Sequence, residues 1–214
     1  MRWFRPILAP DPSIVGDRFG GAPRAVGGSG WPVCGECGGA LTLVAQLAHD
    51  DVRLALGAAD RVLSIWWCTN AATACDTWDP DAGATLVAVH GSSTPCPDPP
   101  PGTHLLPDAA VAGWIEGDDG IAPEALERFF SVQGFRALTD ADAAAATAGT
   151  HLGGAPRWAH SPDESLLPPY HFVLQLDPQD IWPDGAGPDL HGGTAYVFLD
   201  RTVDPPAGAL LWQS

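Results

Sequence analysis

A repeated order of short sequence patterns constrains the fold of this chain more than any other feature. The word Gly-Gly-Ala-Pro-Arg occurs at residues 20–24 and again at residues 153–157. Each copy is followed by an apolar run with a central glutamine, then by two further apolar runs. The paired runs are Leu43–Leu47 with Phe172–Leu176, Arg61–Trp67 with Thr194–Leu199, and Thr85–His90 with Gly208–Trp212. Four patterns in the same order predict two tandem repeats.

Each repeat has the pattern of a small antiparallel sheet. Its runs are rich in Val, Leu, Trp and Phe and are bounded by Gly, Pro and Asp, which is typical of short strands separated by turns. The central glutamines, Gln46 and Gln175, need hydrogen-bond partners if they are buried. We therefore expect them to have a structural role, bracing the same loop in each repeat.

The segment between the repeats has a different pattern. Residues 91–102 are rich in proline and indicate an extended linker. A helix is predicted to begin at Pro123, and Thr139 is placed to cap a second short helix.

These patterns predict one β-rich α+β domain over residues 1–214, in which two tandem repeats of small antiparallel sheets pack into one body. Repeat one covers about 17–90, the connection with its short helices about 91–150, and repeat two 151–214. A three- or four-stranded sheet buries too little surface alone, so the repeats should pack together.

The sharpest local motif is Cys34-Gly-Glu-Cys37-Gly-Gly, in which two thiolates can lie on one side of a turn. Cys68 and Cys75 follow the second strand of the same repeat and would supply two further ligands. We predict one structural zinc ion per chain, bound by Cys34, Cys37, Cys68 and Cys75. The spacing leaves open that Cys96 replaces Cys75. It also leaves open a thioredoxin-like redox pair, disulfides or free thiols.

Charge excludes some classes of function. The chain carries 26 Asp and Glu against 10 Arg and no Lys, which gives a net charge of −16. Nucleic-acid binding is disfavoured because phosphate contacts need clustered cations. Chemistry that depends on lysine is excluded. The acidity either attracts a basic partner or records genome composition.

No segment has the ~20 consecutive apolar residues that a membrane span needs. The apolar stretch within the first ten residues is also too short for a secretory signal, and proline interrupts it. We therefore predict a cytoplasmic protein, where thiols stay reduced and cysteines favour metal over disulfides.

Several of these motifs, taken in order, resemble the bacterial YwqG-like family, a domain of unknown function. They are Phe19-Gly-Gly-Ala-Pro, Trp31-Pro-x-Cys-x-x-Cys-Gly, Leu-x-x-Gln-Leu, Trp-Trp-Cys68 and Cys75. The second half is similar to that family's second repeat through Leu152-Gly-Gly-Ala-Pro-Arg-Trp158, Leu-Gln-Leu-Asp177 and Trp182-Pro-Asp-Gly. A more distant similarity is to the eukaryotic programmed cell death 2 family, dedicated chaperones of a basic ribosomal protein. This resemblance implies that the same four cysteines bind zinc.

The functional expectation is therefore a non-enzymatic, zinc-containing protein-interaction module, chaperone-like toward a basic client protein. One alternative is a small-molecule-binding protein or a hydrolase that uses a cleft between the repeats. A hydrolase would draw on His151, His171, His191 or the His49-Asp50-Asp51 run. Another alternative is an immunity protein that neutralises a toxin. The sequence contains no catalytic motif and does not fix the oligomeric state.

Overall fold

The computed structural model describes residues 1–11, 13–14, 16–28, 30–93, 96–163 and 168–214. The strands of the first part of the chain are β1 (Arg2–Leu8), β2 (Arg18–Phe19), β3 (Thr42–Ala48), β4 (Arg61–Trp67), β5 (Thr85–Gly91) and β6 (Ala109–Asp118). Those of the second part are β7 (His151–Gly153), β8 (Tyr170–Leu176), β9 (Thr194–Asp200) and β10 (Ala207–Gln213). The helices are a 3-10 helix at Pro123–Phe129, α1 (Val132–Arg136), α2 (Asp140–Ala145) and α3 (Pro178–Ile181).

The ten strands form one closed barrel in the order β1-β6-β2-β3-β4-β5-β10-β9-β8-β7, and neighbouring strands are antiparallel. The predicted α+β fold with two tandem small sheets is therefore wrong. Separate sheets would each expose two unpaired edges, whereas closing them into a barrel pairs every edge. We call β2–β5 the first half and β7–β10 the second half.

Two strands of the barrel, β1 and β6, were not predicted. They pair along their length, from Arg2 opposite Asp118 to Leu8 opposite Val111. β1 also pairs with β7 of the second half, and β6 with β2 of the first half. The segment expected to be a connection outside the core thus supplies a strand that closes the barrel.

The two helices predicted in the connection are present. The first is the 3-10 helix that begins at Pro123, and the second is α2. Thr139 caps α2 as expected, since its hydroxyl accepts the N–H of Asp142 at 3.1 Å and the Asp142 carboxylate accepts the N–H of Thr139 at 3.1 Å. This reciprocal pair is a capping box, which satisfies backbone donors that the helix itself leaves free.

The barrel interior is filled by apolar side chains from both halves. Adjacent residues of a strand point to opposite faces, and Trp66 and Trp67 in β4 follow this rule. Trp67 belongs to the interior cluster, whereas Trp66 packs in a second cluster on the outer face. Both tryptophans are therefore buried, one on each face of β4.

The two central glutamines have the bracing role expected of them. Gln46 Oε1 accepts the backbone N–H of Arg24 at 2.9 Å, and Gln175 Oε1 accepts that of Arg157 at 2.8 Å. Each side-chain amide also donates to a backbone carbonyl, of Ala25 and of Gly149 respectively. Each glutamine therefore anchors the last residue of one Gly-Gly-Ala-Pro-Arg word to the strand beneath it.

The junction between β5 and β10 provides a test of barrel closure. A Cβ at Gly208 would lie 2.6 Å from Val87 Cβ and 2.8 Å from the Val87 carbonyl oxygen. We expect Gly208→Ala to lower the free energy of unfolding by about 1–3 kcal/mol because the strands cannot separate without opening the barrel. Urea unfolding followed by circular dichroism measures this change. Gly91→Ala in β5 is the control, since a Cβ there meets nothing within 4 Å; an equal loss there would contradict the explanation.

Candidate metal centre

The four cysteines predicted as ligands lie together. The sulfur atoms of Cys34, Cys37, Cys68 and Cys75 are all within 4.8 Å of one another. The Sγ atoms of Cys34 and Cys75 are 3.8 Å apart, and those of Cys37 and Cys68 are 3.7 Å apart. We call these residues the four-cysteine group. Together they could hold a metal ion such as zinc.

These separations fit tetrahedral thiolate coordination. Four sulfurs about 2.3 Å from a central zinc ion lie about 3.8 Å from each other, which is close to the Cys34–Cys75 and Cys37–Cys68 separations. A disulfide requires its sulfurs to be about 2.05 Å apart, so these two pairs are not bonded to each other. The geometry therefore favours four separate ligands around one ion.

The turn that carries Cys34 and Cys37 is fixed by its own backbone. The N–H of Cys34 donates to the carbonyl of Gly39 at 2.8 Å, and the N–H of Gly38 donates to the carbonyl of Cys34 at 2.9 Å. Gly38 has φ +68°, a conformation that favours glycine. Gly38 therefore allows the chain to curve around the sulfurs, and the two thiols lie on one turn as the motif predicted.

Cys68 and Cys75 come from the long connection between β4 and β5. Cys68 follows β4 directly, and its N–H donates to the carbonyl of Ala84 at 2.8 Å. Beyond Cys75, the N–H of Asp76 donates to the Glu36 carboxylate at 2.7 Å. The first bond joins the two ends of the β4–β5 connection, and the second links this connection to the turn, so that all four sulfurs lie together.

The sulfurs lie in contrasting environments. The N–H of Gly39 at 3.4 Å and the side-chain amide of Asn70 at 3.6 Å donate to Cys37 Sγ, and they lower the pKa of that thiol to about 6. Burial instead raises the pKa of the Cys68 thiol. Four neighbouring thiolates repel one another, so a bound cation would be needed for all four to ionise.

Cys96 lies outside the four-cysteine group. Its thiol donates to the carbonyl oxygen of Pro97 at 3.2 Å, and burial raises its pKa. The alternative in which Cys96 replaces Cys75 therefore does not match the geometry. The thioredoxin-like alternative does not match it either, because no helix begins in the fully described segment 31–41.

The four-cysteine group completes an apolar cluster on the outer face of the first half. Trp66, Leu43 and Leu41 are buried there with Cys34 and Cys68. The outer face of the second half carries no cysteine. Its cluster consists of Trp158, Tyr196, Phe198 and Leu211, with further aromatic residues packed against them. The sulfurs and an apolar cluster cover one half, whereas aromatic rings cover the other.

Of the four histidines considered for catalysis, two have structural roles and two are exposed. His49 Nδ1 accepts the N–H of Leu56 at 2.8 Å, so this nitrogen is not free to act as a base. His151 is buried with its ring nitrogens 2.8 and 3.0 Å from two backbone carbonyl oxygens. His171 and His191 are exposed. Within the described residues, no metal-ligand cluster includes any of them.

A serine–histidine contact was missed by the sequence reasoning. Ser64 Oγ lies 2.8 Å from His90 Nε2 and accepts the Gln46 side-chain amide at 2.9 Å. The side chain of Ser64 has no solvent exposure, so a substrate cannot reach it. These three residues therefore brace the strands. They are far apart in the sequence and share no motif that could have revealed the contact.

The fold and the site together define a closed antiparallel β-barrel with a four-cysteine group on its outer face. No family model and no curated protein matches the sequence. Among the described residues, no helix is both long and apolar enough to cross a membrane.

Proposed function

We propose that this protein is a zinc-containing, non-enzymatic interaction module that binds a basic client protein in a chaperone-like manner. We also propose that it is a bacterial YwqG-like protein, distantly similar to the programmed cell death 2 family. The observation that carries the functional proposal is the net charge of −16 on a packed scaffold. Even if each arginine neutralised one carboxylate, sixteen would remain.

The proposed role of zinc is structural, with one ion per chain. Four protein sulfurs complete a tetrahedral coordination sphere, so no position remains for a catalytic water molecule. Cys34 and Cys68 are buried, and Cys37 and Cys75 are half-buried. The ion would pin the Cys34–Cys37 turn and the β4–β5 connection to the barrel.

The arrangement of polar groups supports a role other than catalysis. Ser64, whose hydroxyl contacts His90 as a nucleophile would contact a base, is sealed from solvent. The barrel interior is occupied by the main apolar cluster. Acidic charge on the surface would instead speed the encounter with a basic protein.

A light-scattering assay tests the client proposal. Reduced, urea-unfolded lysozyme is a basic probe, and α-lactalbumin treated in the same way is an acidic probe. We expect the protein to suppress aggregation of lysozyme after dilution from urea, and added salt to weaken this effect because it screens exposed charges. α-Lactalbumin should aggregate as it does alone. Aggregation of lysozyme at its unassisted rate in low salt would contradict the proposal.

A cleft between the 3-10 helix, the start of β1 and the strands β7 and β8 favours a second candidate function, the binding of a small molecule. The cleft has a volume of about 630 Å³, and Phe130, Tyr170 and Phe172 contribute aromatic surface to it. Aromatic walls with a few polar groups suit small ligands. Native mass spectrometry of protein purified from its own cells tests this candidate, which requires a bound compound that Phe172→Ala releases.

A further inference from the structure

Trp78 is the most unusual exposed side chain among the described residues. It lies in the segment 75–84, which we call the 75–84 loop, and 58% of it is exposed. No ring contact or hydrogen bond engages it within the described part of the chain. Tryptophan carries a large apolar surface that is normally buried, and exposed tryptophan is a frequent anchor in protein interfaces.

The 75–84 loop is held in place by contacts at both of its ends. Cys75 belongs to the four-cysteine group, and the next residue, Asp76, bonds through its N–H to the Glu36 carboxylate. At the other end, the carbonyl of Gly83 accepts the N–H of Gly35 at 2.8 Å. Trp78 is therefore presented to solvent by an anchored segment, which reduces the entropy lost when a partner binds.

Carboxylates surround Trp78 in the sequence and at the anchor of the loop. Asp76, Asp79 and Asp81 lie within three residues of Trp78, and Glu36 is tied to Asp76. None of these four acids forms an ion pair within the described residues. An apolar ring with carboxylates nearby that lack a cationic partner is complementary to a cation with a flat, weakly hydrated face.

The same chain shows how such groups bind arginine. The guanidinium of Arg53 lies 4.8 Å from the ring centre of Trp114 and pairs with Asp17 at 3.1 Å. Arg5 also stacks on Trp3, at 5.2 Å. Trp78 offers a ring and nearby carboxylates, but no arginine of the described residues covers it.

We propose that Trp78 and the carboxylates of the 75–84 loop form the docking surface for an arginine-containing segment of a basic partner protein. This inference rests on the proposed function and names the surface that performs it. Arginine fits better than lysine because its planar guanidinium stacks on aromatic rings while it pairs with a carboxylate. A second copy of this chain is a poor occupant, since two molecules of charge −16 repel each other.

Fluorescence anisotropy with labelled peptides tests the docking surface. The probes are an arginine–glycine peptide and its lysine–glycine counterpart, titrated with the zinc-loaded full chain. We expect the arginine peptide to bind more tightly than the lysine peptide. Trp78→Ala should weaken arginine-peptide binding by about three- to tenfold, and Trp78→Phe by less, because the smaller ring keeps part of the cation–π attraction. Trp78 is exposed, so its replacement should leave folding intact.

Val52→Ala is the matched control. Val52 is also 58% exposed and lies beside Asp50 and Asp51, so it shares the apolar and acidic character without the ring. Equal weakening by Val52→Ala and Trp78→Ala would show that the peptide has no preference for the Trp78 ring and would overturn the docking surface. Unchanged binding by Trp78→Ala would overturn it as well. If Trp78→Ala still suppresses lysozyme aggregation fully, only the docking surface fails; if the unmodified chain does not suppress it, the proposed function fails.

Discussion

Replacing Cys34 and Cys37 together with serine is expected to abolish metal binding and to lower the free energy of unfolding by about 4 kcal/mol or more. A bound ion stabilises the folded state by about 4 kcal/mol when free zinc is at about a thousand times its dissociation constant. A site that binds zinc more tightly contributes more, and the variant would lose that larger contribution. Two of four sulfurs would be missing, so the Cys34–Cys37 turn and the β4–β5 connection would lose their shared anchor. Elemental analysis should give one zinc per chain before the change and none after it.

Cys96→Ser is the matched control for this prediction. Cys96 packs beside the same apolar cluster but lies outside the four-cysteine group. The control should keep one zinc per chain and its stability in urea. Zinc loss in Cys96→Ser, or absence of metal from unmodified protein prepared without chelator, would contradict the assignment of the site.

The four-cysteine group could be predicted because its signal is mostly local. The Cys34–Cys37 motif has the spacing of a metal-binding turn, and Cys68 ends a recognisable strand. The choice of Cys75 over Cys96 was not local. It depends on how the β4–β5 connection folds back onto the turn, through the bonds Asp76–Glu36 and Gly83–Gly35, which join residues 40 and 48 positions apart.

The fold was predictable at the level of strands and wrong at the level of sheets. The strands β3, β4, β8 and β9 are rich in branched and aromatic residues, and their patterns indicated them correctly. β6 begins Ala109-Ala-Val-Ala-Gly, and small residues with low strand propensity do not mark a strand. β1 contains Pro6, which also weakens the signal. Without β1 and β6, no pattern indicated that the two halves close into one barrel.

The sequence did not indicate which strands pair with each other. A local pattern determines which residues face the core. It does not determine the partner, because the backbone groups at the edge of one apolar strand can pair with those of any other. The pairing of Ala207 with Ala88 joins β10 to β5 across more than a hundred residues. Only the packing of the complete interior selects that partner.

Trp158→Ala is expected to lower the free energy of unfolding by about 3–5 kcal/mol, because removing a buried tryptophan leaves a large cavity. The ring centre of Trp158 lies 4.4 Å from that of Tyr196 and 6.2 Å from that of Phe198. Its indole N–H donates to the carbonyl of Phe129 at 2.6 Å, which attaches the 3-10 helix to the outer face. Urea unfolding measures the loss.

A second signature of Trp158→Ala would come from Tyr196, whose pKa burial raises to about 12 from the ordinary value of 10. Its hydroxyl bonds to the backbone on both sides of Trp158, at Arg157 and Ala159. Removing the indole ring should expose the phenol and return its pKa toward 10, which an ultraviolet pH titration detects. In the unmodified protein this raised pKa contributes stability that is complete below pH 10 and is lost as pH rises toward 12.

Trp78→Ala is the control for size and chemistry, since it removes the same side chain from an exposed position and should change stability little.

The clusters around Trp158 and around the four-cysteine group are separate, so the losses from Trp158→Ala and from Cys34→Ser with Cys37→Ser should add within about 0.5 kcal/mol. Trp158→Ala should also keep its zinc. If the two losses of free energy departed strongly from additivity, the two outer clusters would not be independent. The aromatic rings and the sulfurs would then stabilise the barrel as one unit.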